Sequence, residues 1–287
     1  MRRLNIAVII ATKGRKDVAA ALIRHLAAQT RYPDRVILSV ATHQDAPTEP
    51  GAEIVVGPAG LAAQRNTGLV SAAGADLVVF YDDDFVPAPG ALAAIEALFA
   101  SRPMLAGATG HVIADGATGA TIPEDTATNL CLNAHLLPPA LSERRVIGLY
   151  GCNMAVSLSH AADLKFDEAL PLYGWQEDLD FGARLAQRGE LIQTTAFAGV
   201  HRGVKSARPK ERGLGYAQIA NPAYLMAGGH IPAGYLCRLM ARNVLANHWG
   251  CLKRSAHVDR RGRTRGNWAA LFDLVRGRLN PARAAQL

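Results

Sequence analysis

The sequence predicts an α/β protein: a mostly parallel central sheet with helices on both faces, followed by a helical, basic C-terminal extension. Three observations carry this. Strand-like apolar runs alternate with helix-period stretches over the first hundred residues, the pattern of a parallel sheet wound with helices. One such run, Leu77-Val78-Val79-Phe80-Tyr81, is apolar throughout and ends in three consecutive carboxylates, Asp82-Asp83-Asp84; a strand buried on both faces reads this way. Charge is also uneven. From Arg238 to the C-terminus eleven Lys/Arg stand against two acids, whereas the first 237 residues carry twenty against twenty-two.

Taken in order, residues 4–11 read as the first strand. Residues 17–29 carry Val18, Leu22, Ile23 and Leu26 at helical period. Residues 35–40 and 53–56 read as strands, the second closed by Gly57-Pro58. Residues 61–73 read as a helix, 76–81 as the strand delivering the carboxylates, and 89–100 as an Ala-rich helix with Pro89 near its start. Pro87 and Pro89 are expected to stop the strand and hold the loop. Strands are expected over 104–114, 154–158 and 193–200, and a helix over 177–187 ended by Gly189. Residues 215–250 look helical with a break at Gly228-Gly229. Residues 254–267 are polar and basic and read as a loop. Helical spacing returns over 268–278 at Trp268, Leu271, Phe272 and Val275.

The composition narrows the function classes. The chain has 287 residues, 49% of them hydrophobic, enough for a sizeable core. No stretch approaches the roughly 20 apolar residues that cross a bilayer, and the start Met1-Arg2-Arg3 runs into a strand rather than a signal peptide. Four scattered cysteines without a CxxC pair indicate neither zinc nor a disulfide framework, so a reduced, cytoplasmic setting is expected.

Adjacent carboxylates at a strand end repel one another, and a divalent cation relieves that repulsion. Hard oxygen ligands suit Mg²⁺ or Mn²⁺. The alternative is an acidic solvated turn. In open parallel sheets ligands bind beyond the carboxyl ends of the strands. Both the triplet and Ala11-Thr12-Lys13-Gly14-Arg15 lie at such ends.

Four elements line up along the chain. These are Ala11-Thr12 with Arg15, then Gly60-Leu61-Ala62-Ala63-Gln64-Arg65-Asn66-Thr67-Gly68, then the acidic triplet. Finally Gly174-Trp175-Gln176-Glu177-Asp178-Leu179-Asp180 opens a helix bearing Arg184. Over residues 4–205 this set resembles the family 2 glycosyltransferases, with the nucleotide-diphospho-sugar transferase (GT-A) fold. The stretch 201–229, with Gly215-Tyr216-Ala217-Gln218-Ile219-Ala220-Asn221-Pro222, looks like a bacterial exopolysaccharide-type branch. The resemblance implies a catalytic unit over 1–205, with a nucleotide-binding half (1–100) and an acceptor-binding half (101–205). Residues 206–287 form the extension.

It also implies roles. A nucleotide-sugar donor, most readily a UDP-sugar, would lie over Ala11, Thr12, Arg15 and Asp45, with Asp45 reading the base. The commoner Asp-Asp-Gly-Ser-like turn is absent there. The first carboxylate of the triplet tends to face the ribose and the last the metal, which divides Asp82 and Asp83 between ribose and metal support and gives the metal to Asp84. His201 is expected to complete the metal shell or to be structural. Arg65 could pair with Asp82 or with a phosphate, and Asn66 and Gly68 beside it fit close backbone approach. Asp178 is the expected general base, with Glu177 raising its pKa by like-charge repulsion. The alternative is that Glu177, Asp178 and Asp180 only favour a helix N-terminus. Trp175 would wall the acceptor sugar or be ordinary core. Gly151-Cys152-Asn153-Met154 resembles a Gly-Gly-Asn-Met stretch, with Asn153 on a sugar hydroxyl. The implied activity is inverting hexosyl transfer in surface polysaccharide or glycolipid synthesis.

The basic extension has three readings. It lies on an anionic membrane surface beside a lipid-linked saccharide acceptor, through amphipathic helices around 235–252 and 268–279. Otherwise it is a solvated cover or an oligomer contact. Nucleic acid is disfavoured, because aromatics are 6% of the chain and no binding motif occurs. Rival functions are a nucleotidyltransferase, for which residues 11–15 are too glycine-poor, and a non-catalytic sugar-nucleotide binder.

Overall fold

The structure is a computed structural model that describes residues 2–117, 119–133, 142–171, 173–206, 210–252 and 258–287. Its elements run β1 (Ile6–Thr12), α1 (Lys16–Ala27), β2 (Arg35–Val40), β3 (Glu53–Val56), α2 (Leu61–Ser71), β4 (Leu77–Asp82), β5 (Phe85–Pro87), α3 (Ala91–Ser101), β6 (Leu105–Asp115), α4 (Glu124–Leu132), β7 (Glu143–Arg145), β8 (Asn153–Ser157), α5 (Glu177–Leu185), β9 (Glu190–His201), α6 (Glu211–Gly228), α7 (Ala233–Leu252) and α8 (Arg260–Val275). Pro281–Gln286 forms a closing 3₁₀ helix.

Among the described residues nine strands make one sheet in the order β3-β2-β1-β4-β8-β6-β9-β5, with β7 beside β9. β1 to β4 are mutually parallel, and β6 and β9 run with them because β8 joins β4 and β6 antiparallel. The short strands β5 and β7 run against β9.

Alternation along the strands divides the core in two. Ile6, Val8 and Ile10 of β1 join Leu77, Val79 and Tyr81 of β4 under α1 and α3. Ala7, Ile9, Val78 and Phe80 face the other way, under α2 and α5. Leu22, Ile23 and Leu26 of α1 and Leu92, Ile95 and Phe99 of α3 are buried. Each such side chain contributes about 1.5–3 kcal/mol by leaving water.

Four expectations change. Pro87 does not end the strand region: Phe85–Pro87 is itself a strand, paired among the described residues with β9 alone, an edge position where proline is tolerated. Helix α5 ends at Leu185, with Ala186 as its cap. Gly189 is needed instead for close approach, since a Cβ there would lie 2.9 Å from the Met104 carbonyl oxygen. The loop expected over 254–267 is largely helix. Residues 254–257 lie outside the described residues, but α8 starts at Arg260, where the Asp259 carboxylate accepts from Gly262 N at 2.9 Å. The basic, glycine-containing sequence of α8 becomes helical through packing: Gly215 of α6 and Gly266 of α8 meet the partner backbone so closely that neither has room for a Cβ. Asn247, Gln218 and Asn267 add a buried hydrogen-bond network, with Asn247 Nδ2 donating at 2.7 and 2.9 Å and Asn267 Nδ2 to Gly215 O at 2.6 Å. A satisfied polar network of this kind specifies one packing. Finally, α4 and β7 carry too few periodic apolar residues to be read from sequence.

Candidate active site

Strand register assembles the site. Ala11 lies level with Asp82 across β1 and β4, so Thr12 comes beside Asp83. Phe85 pairs with His201 across β5 and β9, which sets His201 beside Asp84. Asp115, the last residue of β6, also pairs with His201.

The three carboxylates of the triplet have different surroundings. Asp83 is buried and turned towards β1. Its Oδ2 accepts from Thr12 Oγ1 at 2.6 Å and Arg15 Nε at 3.0 Å, and burial pushes its pKa up to about 7. Asp84 Oδ2 accepts from Val204 N at 2.7 Å, while its Oδ1 lies 3.3 Å from His201 Nε2. Burial alone would raise Asp84, but His201 and Arg15 bring it down to about 2. Asp82, at the rim, has its Oδ2 3.9 Å from His201 Nε2.

Ligand atoms of Asp82, Asp84 and His201 all lie within 4.8 Å of one another. The donor set fits a divalent cation: two hard carboxylates and one imidazole, acceptable to Mn²⁺ and less so to Mg²⁺. His201 is oriented for it, because Nδ1 faces Asp115 Oδ1 at 2.9 Å and leaves Nε2 towards the carboxylates. Asp115 is held in turn by the Tyr150 hydroxyl at 2.7 Å. A carboxylate behind a ligating histidine is the usual supporting arrangement. Burial disfavours the imidazolium, yet Asp115 and Asp84 raise His201 to about 10.

The opposite wall comes from the start of α5. Gly174 and Gln176 both adopt left-handed backbone, at φ 55° and 74°. That is strained for glutamine, and it turns Glu177 and Asp178 inward. Glu177, 3% exposed, pairs with Arg65, 2% exposed. Arg65 Nη2 also donates to Asp82 Oδ1 and to Gly151 O, each at 2.9 Å, and the guanidinium stands 5.5 Å from the Phe166 ring centroid. The pairing of Arg65 with Asp82 is present. Asn66 and Gly68 serve packing rather than a ligand: Asn66 Nδ2 donates to Phe166 O at 2.9 Å, and a Cβ on Gly68 would lie 2.5 Å from Ile9 Cγ2.

Asp178 Oδ2 accepts from Gly151 N at 2.7 Å and Oδ1 from Leu179 N at 2.8 Å. Its pKa is raised, first by burial, against the lowering effect of Arg65 and these two N–H groups. The like-charge effect expected from Glu177 is not the leading cause, since Arg65 absorbs that charge.

Two cavities meet at Arg15 and Tyr173. One, of about 640 Å³, is walled by Ala11, Thr12, Arg15, Asp45, Gln64 and Ala285. Asp45 is occupied in shaping its loop, accepting from Gly14 N at 2.7 Å and from Thr42 N and Oγ1 at 3.0 Å. The other, of about 440 Å³, brings together Asp82, Asp84, His201, Asp178, Trp175 and Arg263. Trp175 both lines it and packs on the α6–α8 core, with its carbonyl accepting from Asn221 Nδ2 at 2.9 Å. Asn153 is fully buried, paired with Tyr81 across β4 and β8, and lines neither cavity.

Sequence reasoning missed Asp115, Glu211, Arg263 and Ala285. For Asp115 the signal was weak, a lone acid ending a strand; the other three come from an extension whose fold-back no local pattern announces.

No protein-family model matches this sequence, and no curated protein does. Solved structures do. *S. aureus* TarS 1-349 in complex with UDP-GlcNAc superposes with TM-score 0.57 at 14% identity, covering 98% of this chain and 82% of that one. The mannosyltransferase PcManGT from Pyrobaculum calidifontis, in complex with GDP-Man and Mn²⁺, gives 0.53 at 14% identity over 99% and 86%. The fold is GT-A. GalNAc-T7 with UDP, GalNAc and Mn²⁺ also matches, at TM-score 0.53 and 14% identity, covering 77% of this chain. This GT-A chain spans 51% of the GalNAc-T7 chain.

Proposed function

We propose that this protein is a metal-dependent, inverting glycosyltransferase that moves a sugar, most readily a hexose, from a nucleotide-diphospho-sugar to an acceptor hydroxyl. One observation carries the reading: a divalent-cation donor set and a buried carboxylate of raised pKa face the same cavity.

In the proposed reaction Asp178 takes the proton of the acceptor hydroxyl. The hydroxyl oxygen attacks the anomeric carbon from the side opposite the diphosphate. The bond from that carbon to the phosphate oxygen breaks, and the nucleotide diphosphate leaves with the electron pair, inverting the centre. Asp82, Asp84 and His201 would hold Mn²⁺ or Mg²⁺, which supplies neutralising charge to the departing diphosphate. Arg15, held by Asp83, adds positive charge between the two cavities. Arg65 bonds Glu177 and Asp82 directly, while Asp178 is held by the Gly151 and Leu179 N–H groups. The nucleotide is assigned to the cavity beside Thr12 and Asp45, and the acceptor to the cavity beside Trp175. Residues 1–205 then carry the chemistry, and 206–287 complete the acceptor wall through Glu211 and Arg263.

The bound nucleotides of the structural neighbours, UDP-GlcNAc, UDP and GDP-Man, support UDP- and GDP-sugars as first candidates. Surface polysaccharide or glycolipid synthesis in the cytoplasm is the role this reading favours. A thermal-shift series with UDP-, GDP- and dTDP-sugars, with and without Mn²⁺, tests it. One donor is expected to stabilise the chain only with metal, by about 2.7 kcal/mol at a hundredfold excess over Kd. No stabilisation by any sugar nucleotide refutes the reading.

A further inference from the structure

The helices that close the acceptor side turn a second face to solvent. On α7, Tyr235, Arg238, Arg242, Leu245 and Trp249 recur every three to four residues and are all exposed, Leu245 by 69% and Trp249 by 65%. That spacing is one stripe of a helix. On α8, Arg261, Arg265, Trp268, Phe272 and Val275 repeat the spacing, Trp268 exposed by 60% and Phe272 by 54%. α7 and α8 are in contact: Asn247 Nδ2 donates to Asn267 Oδ1 at 2.9 Å, and the rings of His248 and Trp268 stand 5.8 Å apart. The two stripes therefore meet beside Trp268.

Its charge has a single sign. Arg238, Arg242, Arg261, Arg265, Arg276 and Arg278 are exposed. The two acids of this region offer little compensation: Asp259 caps α8, and Asp273 is buried and paired with Arg283. Among the described residues no carboxylate lies in either stripe. The face does not suit a second copy of itself, because a two-fold contact would set arginine against arginine. Arginines interleaved with tryptophan and other apolar side chains, on the exposed sides of two contacting helices, suit an anionic lipid interface.

We propose that the outer face of α7 and α8 docks this protein on a membrane bearing anionic lipid. No helix among the described residues is long and apolar enough to cross a membrane, so the contact is peripheral. The inner sides of the same helices supply Leu239 and Arg263 to the acceptor cavity, which brings the site close to the lipid surface. The proposal is independent of the transfer reading, because vesicle binding is measured without turnover.

The test uses the full chain with vesicles of phosphatidylcholine alone and of phosphatidylcholine with phosphatidylserine. Co-sedimentation is expected only with the anionic vesicles and is expected to vanish at high salt. The variant Arg238→Glu/Arg242→Glu/Arg265→Glu should lose binding by about tenfold or more. Trp268→Ala/Phe272→Ala should weaken it and reduce the blue shift of tryptophan fluorescence, with Trp249 of the same face supplying the remainder. Circular dichroism melting checks folding, with Arg→Gln at the same three positions as a milder set. Absence of binding, equal binding to both vesicles, or binding unaffected by any set overturns the proposal. So does self-association in sedimentation velocity that these substitutions abolish, which would make the face an oligomer contact.

Discussion

Arg65 and Glu177 form a buried ion pair across the site, one from α2 and the other from the first turn of α5. Removing one partner of such a pair leaves the other charge in a medium that solvates it poorly. Arg65→Gln should therefore cost about 3–5 kcal/mol in urea unfolding, whereas Arg65→Met with Glu177→Leu should recover most of it. An equal loss in both variants would show that Arg65 matters for Asp82 and the Gly151 carbonyl rather than for Glu177.

Asp178→Asn keeps the shape of the side chain and removes the proton acceptor. Transfer should fall by about 10²–10⁴ in single-turnover assays, with nucleotide affinity retained. Normal turnover would exclude Asp178 as base.

The raised pKa of Asp178 has a sign in the rate profile. The base works ionised, so kcat/KM should fall as pH drops through a value above the ordinary aspartate figure of about 3.9. A limb at or below that figure would mean that burial does not govern this carboxylate.

Asp84→Asn should abolish Mn²⁺-dependent nucleotide binding, read by calorimetry, and excess chelator should do the same reversibly. Asp115→Asn should weaken Mn²⁺ binding by about 10–100-fold, because Asp115 holds the His201 ring by the nitrogen that faces away from Asp84. Equal affinity in Asp115→Asn would leave His201 without a positioning partner.

Alanine normally stabilises an exposed helix relative to glycine. At Gly215 or Gly266, where α6 and α8 touch backbone to backbone, the sign should reverse, with about 1–3 kcal/mol lost to overpacking in thermal or urea unfolding. A stabilised Gly266→Ala would refute the close crossing.

Much of the fold was legible because local physics dominates it. β1, β2, β3 and β4 announce themselves as apolar runs, and α1 by its 3.6-residue period. The carboxylate triplet was legible as a candidate cation site because three adjacent charges demand an explanation. The division of labour within it was not, since it depends on strand register: Thr12 and Arg15 claim Asp83, while His201 comes to Asp84 from 117 positions away in the sequence. Residues 260–267 misled because propensity argued for a loop, and contacts with α6 outweighed it.

The amino-acid sequence by itself determined a parallel α/β sheet, carboxylates at one strand end, a Glu-Asp pair opening a helix and a basic extension. These follow from periodicity, β-propensity and charge, all read within a few residues. Only the tertiary structure decided that Asp115 bonds His201, that Arg65 ties Glu177 to Asp82, and that α6, α7 and α8 fold back to wall the cavity beside Trp175. Those pairings join residues from tens of positions to more than a hundred apart, and what brings them together is the strand register and the close crossing of helices at glycine.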